Sequence, residues 1–267
     1  MILRHAREPV DDQPIENSFE AVDERSGALL GSCTIYVHED AALFPARPMR
    51  IYMDIQGSPA PDALIGAAVA RAKELAQAMT RPCRIFAQVE PEDAERMAAL
   101  SALGFRDNDG LVRMRQNLPA GAPGELPIGC VVVRDDLDDP IEQKYFLERY
   151  NQLYNEDCDF EWLQSFRERE GFKRILLVAP TGMAGEIAVW QEDEAGMIGW
   201  LHVSKKWRRM GVAHRLLELA CADFAATGLS RAEAEVQAKI PGMLRTMERA
   251  GFRQAELILR YPGIDIG

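Results

Sequence analysis

The chain has 267 residues, 47% of them hydrophobic and 27% charged, a globular composition long enough for one large domain or two of ordinary size. No run reaches the ~18 consecutive apolar residues of a membrane span, and a formal charge of -11 disfavours broad electrostatic binding to nucleic acid while favouring cationic partners such as amines. Five scattered cysteines, Cys33, Cys83, Cys130, Cys158 and Cys221, form no Cys-x-x-Cys or Cys/His cluster and read as reduced structural thiols, with no metal site.

Met1 to His5 runs straight into charged residues without the apolar core and cleavage site of a secretory signal, so the expected compartment is the cytoplasm. Ile2-Leu3 passes to Phe19–Val22 through a short polar connection alone. Gly31 to Val37 reads as a strand followed by an acidic turn, and Arg50 to Ile55 as the next strand. A β-rich run, Arg84 to Val89, then precedes a helix-like segment, Gly104-Phe105-Arg106, and a strand at Gly110 to Met114; the glycine suits a helix C-terminus.

Leu118 to Pro127 is rich in Pro and Gly, has no sustained period, and reads as a linker. It predicts domains at 1–118 and 128–267 flanking residues 119–127. The two sides echo each other. Ala87, Val89, Gly104, Phe105, Arg106 and Arg113 recur at one constant offset as Ala234, Val236, Gly251, Phe252, Arg253 and Arg260, which points to an internal duplication.

The second half opens with a strand at Cys130 to Arg134 and then two helical segments. Asp139-Pro140 can cap and start the first, with Ile141, Tyr145, Phe146, Leu153 and Tyr154 as its apolar stripe. Asp159 can cap the second, with Phe160, Leu163 and Phe166 inward and Gly171 as its stop. Strands follow at Arg174 to Ala179, Gly185 to Trp190 and Met197 to Val203. A basic turn then leads into an amphipathic helix bearing Val212, Leu216, Leu219, Ala220 and Phe224, and later elements are a strand at Ala232 to Val236, a helix, Gly251-Phe252, and a strand at Leu257 to Tyr261.

The turn is the most informative stretch. Unpaired N–H groups of the helix start point outward near Gly211, and Gly211 and Ala213 are small enough for a phosphate to approach. The helix dipole and Arg208, Arg209 and Arg215 add positive character in an acidic chain. Arg208-x-x-Gly211-x-Ala213 after a strand ending in Val203 resembles the acetyl-CoA signature of the GNAT superfamily of N-acetyltransferases, and the flanking elements extend the resemblance over nearly all of 127–267.

The resemblance implies an α/β fold of two GNAT-like domains, each a mixed, mostly antiparallel sheet flanked by helices. It implies that Leu201, Val203, Arg208, Arg209, Met210, Gly211, Val212, Ala213, His214 and Arg215 hold acetyl-CoA as acyl donor, its pyrophosphate on the turn and its pantetheine along the strand. In the first half the equivalent turn, 55–66, has no basic residue, two prolines without N–H groups and Asp62, which repels phosphate. That half therefore reads as a degenerate copy with a structural or cleft-walling job.

The implied reaction transfers acetyl to a primary amine of a small molecule or peptide by direct attack on the thioester, without a metal. A strand N–H polarises the thioester carbonyl in that family. His202 is the candidate base, with an ordinary pKa of ~6.5, though strand alternation with Leu201 and Val203 leaves its face open. Many members carry a proton-donating tyrosine four residues before the Gly-Phe glycine; here that position is Met247, and the family's earlier asparagine is Ile240. Tyr261 is an alternative donor.

Asp157, Asp159, Glu161 and Trp162, with Glu156 nearby, fall where the family forms its acceptor site, and Tyr145 and Tyr150 could wall it. Capping by Asp159 and a solvated turn explain the same carboxylates more simply. A non-catalytic acyl-CoA sensor or scaffold is the competing reading, and a hydroxyl acceptor stays open.

Overall fold

A computed structural model describes residues 1–57 and 61–267. In chain order β1 (Ile2–His5), β2 (Ser18–Val22), β3 (Leu29–Glu39) and β4 (Met49–Gln56) precede α1 (Asp62–Ala78), β5 (Cys83–Ala87), α2 (Ala94–Ala102) and β6 (Gly110–Asn117). Then come β7 (Val131–Asp135), α3 (Pro140–Tyr154), α4 (Phe160–Arg167), β8 (Lys173–Ala179), β9 (Gly182–Glu192) and β10 (Ala195–Val203). The chain finishes with α5 (Val212–Ala226), β11 (Arg231–Gln237), α6 (Met243–Arg249), β12 (Arg253–Arg260) and β13 (Gly263–Ile266). None of the described helices is long and apolar enough to cross a membrane.

The chain forms two compact units, Met1–Leu111 with Leu257–Gly267, and Val112–Glu256. The divisions fall within β6 and β12, whereas composition alone places the boundary at 119–127. Composition marks where the backbone lacks a regular pattern, while unit membership follows from which sheet each strand joins. From residue 112 onward β6 lies between β11 and β12 in the second unit's sheet, and β13 pairs with β5 in the first.

The first unit is a six-stranded sheet ordered β1-β2-β3-β4-β5-β13. All neighbours are antiparallel except β4 and β5. Alternation along the strands sends Ile35, Ile51, Met53, Ile55, Ile85 and Ala87 to one face, where α1 supplies Leu64, Ile65, Ala68, Val69, Ala72 and Ala76 at helical spacing. Among the described residues only a single helical turn, Ile15–Asn17, separates β1 from β2. β13 was not foreseen from the sequence, since four residues after a proline carry too little pattern to read.

The second unit is a seven-stranded sheet ordered β12-β6-β11-β10-β9-β8-β7, with β10 and β11 parallel and the pairs from β7 to β10 antiparallel. Helices α3 and α4 cover one side through Phe146, Leu147, Leu163 and Phe166 against Trp190, Met197 and Trp200. Ile141, Tyr145 and Phe160, expected inward, are exposed. The observed stripe of α3 runs Phe146, Tyr150 and Tyr154, one residue out of phase with Ile141 and Tyr145, and one residue is a ~100° rotation. Helix α5 buries Val212, Leu216, Leu217, Leu219, Ala220, Cys221 and Phe224, and packs on β8, β9 and β10. The glycines that close the paired helical segments, Gly104 and Gly251, both take left-handed φ, +92° and +95°.

Candidate active site

The site grows from a break in the second unit's sheet. Parallel pairing of β10 with β11 joins Ala195–Ile198 to Arg231–Ala234 and ends there, although β10 runs on to Val203 and β11 to Gln237. Pairing with β9 continues along the whole of β10, with a register shift between Ile198 and Trp200. The stretch from Gly199 to Val203, including Leu201, is thus bonded on its β9 edge, and past Ile198 its register with β11 has ended.

β10 delivers the chain to the basic turn. Ser204 anchors it, donating its N–H to the Ala184 carbonyl at 3.0 Å and its hydroxyl to the Met183 carbonyl at 2.7 Å. Lys206 Nζ donates to the Thr181 carbonyl at 2.9 Å. Arg208 reaches back to the Val203 carbonyl at 3.3 Å. Arg209 and Gly211 both adopt left-handed φ, +65° and +80°, so the backbone reverses tightly before α5.

Gly211 is the N-cap of α5, no side chain caps that end, and a Cβ added at Gly211 would meet nothing within 4 Å. A helix start in this state presents orphan N–H groups and the positive end of its dipole to open space, which fits a diphosphate. Val212 is buried and pins the first turn to the sheet, while Arg209, Met210 and Gly211 are exposed and Ala213 is half-buried. Arg208 and Arg209 form no ion pair among the described residues. Arg215 and His214 instead turn to Glu218, one turn on along α5, His214 Nε2 at 3.4 Å, so the Arg215 guanidinium is engaged on its own helix.

His202 lies on the α3 side of the sheet. Its ring stacks on Trp200 at 5.8 Å with 9° between planes, and Trp200 packs on Phe146, Tyr150 and Tyr154. Burial pushes the His202 imidazole below its ordinary pKa; Glu186 opposes this, and Arg149 and Arg208 reinforce it. The ring is held in its neutral, proton-accepting form. Directly opposite on β9, Glu186 is fully buried and takes a bidentate pair from Arg149 at 2.6 and 2.9 Å, with Arg174 at 3.5 Å. This carboxylate was missed from the sequence, although a glutamate within the apolar strand Gly182–Glu192 signals a buried partner.

The described cavity at this site, about 390 Å³, sits where β10 and β11 part, against Ile198, Gly199 and Glu235. Its other walls are Trp190, Glu192, Met197 and Arg169. His202 is not a wall; it lies three residues beyond Gly199, ~10 Å along the strand. The predicted acceptor residues do not line it either. Asp159 caps α4, accepting from the Trp162 N–H at 2.9 Å, while Asp157 and Glu161 face solvent. Trp162 joins the aromatic wall, 4.5 Å from Tyr150 and stacked on Phe166. Burial pushes the Tyr150 phenol up to about 12, which keeps it protonated. Met247 is core, and Tyr261 packs on Phe86 in the first unit.

The corresponding turn of the first unit is built differently. Ser58, Pro59 and Ala60 lie outside the described residues. On either side, Arg96 donates to the carbonyls of Ile55 at 3.0 Å and Gly57 at 2.6 Å, and Asp62 opens α1 with its negative charge.

The sequence model of the acetyltransferase (GNAT) family matches residues 125–252, all within the second unit. No curated protein matches the sequence. Among solved structures, the GCN5-related N-acetyltransferase from Sphaerobacter thermophilus aligns at 14% identity over 96% of this chain and 82% of its own, with a TM-score of 0.54. The glucosamine N-acetyltransferase region of a fungal multi-domain GH3 β-N-acetylglucosaminidase aligns at 14% identity over 92% of this chain and 33% of that one, TM-score 0.50. A tandem GNAT protein from the clavulanic acid biosynthesis pathway aligns at 17% over 93% and 82%, TM-score 0.49. At such identities the first two likenesses speak to the fold alone. Among the described residues no group of three or more His, Cys, Asp or Glu is placed to hold a metal ion.

Proposed function

We propose, from the premise that residues 125–252 form a domain of the GNAT acetyltransferase family, that the second unit moves an acetyl group from acetyl-CoA to a primary amine of a small molecule or peptide. The observation that carries this reading is the uncapped start of α5 at Gly211, flanked by Arg208 and Arg209, which form no ion pair among the described residues, at the end of a strand that has parted from β11.

The roles follow from position. Amides from Met210 to His214 and the guanidinium groups of Arg208 and Arg209 hold the pyrophosphate, with Arg215 as a more distant charge. Backbone groups at Leu201 and Val203 hold the pantetheine arm, and a β10 N–H stabilises the oxyanion. The amine nitrogen attacks the thioester carbonyl carbon and the C–S bond breaks. One amine proton passes to His202 through intervening water, since the ring stands off the cavity, and CoA leaves as a thiolate, tolerable because thiols have pKa values of ~8.5. Asp157, Asp159, Glu161 and Trp162 remain the outer approach for a cationic acceptor, drawing it toward the cavity.

Thiol release from acetyl-CoA, measured with a panel of primary amines beside calorimetry of CoA binding, tests this reading. Amine-dependent release supports it. Tight CoA binding with no release by any amine points to a sensor instead, the reading that buried, proton-free Met247 favours.

A further inference from the structure

The cavity at Gly199 carries charges of both signs on an apolar floor. At about 390 Å³ it is small, near the lower end of the ~300–1,000 Å³ typical of small-molecule sites. Trp190 presses on the Gly199 backbone so closely that an added Cβ would come within 2.0 Å of the indole, and Met197 and Ile198 complete the floor.

Arg169 stands at the mouth. Its guanidinium lies 4.4 Å from the Trp190 ring centre and 5.1 Å from that of Phe166, and it forms no ion pair among the described residues. Ring faces fix the direction of a guanidinium while leaving its N–H fork for a carboxylate. Glu192, two residues beyond Trp190 on β9, is likewise without an ion pair among the described residues, and Glu235 on β11 shares Arg113 at 3.0 Å while staying exposed. Trp190 is only 7% exposed, and its indole N–H has no hydrogen-bond partner among the described residues. A polyamine would meet Arg169 with like charge. A simple amine would leave the fork unmatched, and a dianion would meet two glutamates.

We infer that this cavity takes a zwitterion, an α-amino acid with an apolar side chain, with Arg169 on its carboxylate and Glu235 and Glu192 on its ammonium. Its role as the acetyl acceptor rests on the function proposed above; the charge pairing does not.

Calorimetry on the full chain with saturating CoA tests the pairing. The probes are L-leucine and L-phenylalanine, the same frames without a carboxylate (isoamylamine and phenethylamine), and spermidine. The amino acids should bind at least about tenfold more tightly than the amines, a step of ~1.4 kcal/mol. Arg169→Gln should remove that preference without weakening the amines, Arg169→Lys should restore part of it, and Glu235→Gln should weaken both series. The pairing is overturned if neither amino acid binds, if the amines or spermidine bind as tightly, or if Arg169→Gln leaves the preference intact. Thiol release read in parallel separates the two ideas. Arg169-dependent binding with no acetylation of the bound amino acids removes their acceptor role and keeps the zwitterion site, whereas acetylation confined to carboxylate-free amines keeps acetyl transfer and overturns the zwitterion site.

Discussion

His202 on β10 lies directly opposite Glu186 on β9, and the glutamate, fully buried, is clamped by Arg149 rather than by the imidazole. The histidine is therefore desolvated beside a carboxylate whose charge is already offset, and its pKa falls.

A base of this kind works once deprotonated. Turnover should rise as pH climbs through a value below ~6.5 and stay level through neutrality. His202→Gln should lower kcat by about 10²-fold or more and remove that limb. Steady-state rates across pH 5 to 8 on both proteins give the answer.

The same shift links to stability. The folded imidazole binds its proton more weakly than the unfolded one, so the unfolded chain takes up more protons once pH falls below ~6.5. Stability should drop from there down to the depressed folded value and level off below it. Melting temperatures of wild type and His202→Gln should converge in acid if this histidine is the source.

Glu186→Gln leaves Arg149 and Arg174 beside a neutral amide inside the sheet. Removing one partner of a buried pair typically costs about 3 to 5 kcal/mol; the half-exposed Arg149 places the expectation at the lower end. Urea unfolding should show a lower midpoint with an unchanged slope.

Gly211→Asp puts a carboxylate where the diphosphate is proposed to sit, at φ +80°, which L side chains rarely adopt. Because nothing lies within 4 Å of the new Cβ, the fold should survive with a loss of about 1 to 3 kcal/mol from backbone strain. Calorimetry should find CoA binding gone while the circular dichroism spectrum is unchanged.

Gly199→Ala places a Cβ 2.0 Å from the present position of the Trp190 indole, which must move away. Overpacking should cost about 1 to 3 kcal/mol. It should also reshape the cavity, raising the acceptor KM more than the acetyl-CoA KM.

What the sequence made legible was local. The Asp139 and Asp159 caps, the strands of the second unit and the turn from Val203 to Gly211 each announce themselves within a few residues by period, capping chemistry or glycine. What it hid was cross-strand. Glu186, Arg149 and His202 are separated in sequence and meet only through the β9–β10 register, and Glu192, Glu235 and Arg169 meet only where two strands part. The face of His202 was undecidable without that register. The inward expectation for Tyr145 failed on helix phase, which a stripe of mixed aromatic and aliphatic residues fixes poorly.

β13 closes the outer edge of a sheet whose other strands are all made before residue 90. During synthesis the N-terminal half thus waits, one strand short, with the backbone edge of β5 open until residue 266 has left the ribosome. Vectorial folding is inverted: the first half to be translated is the later one to be finished, and a fragment cut at residue 118 would carry that raw edge permanently.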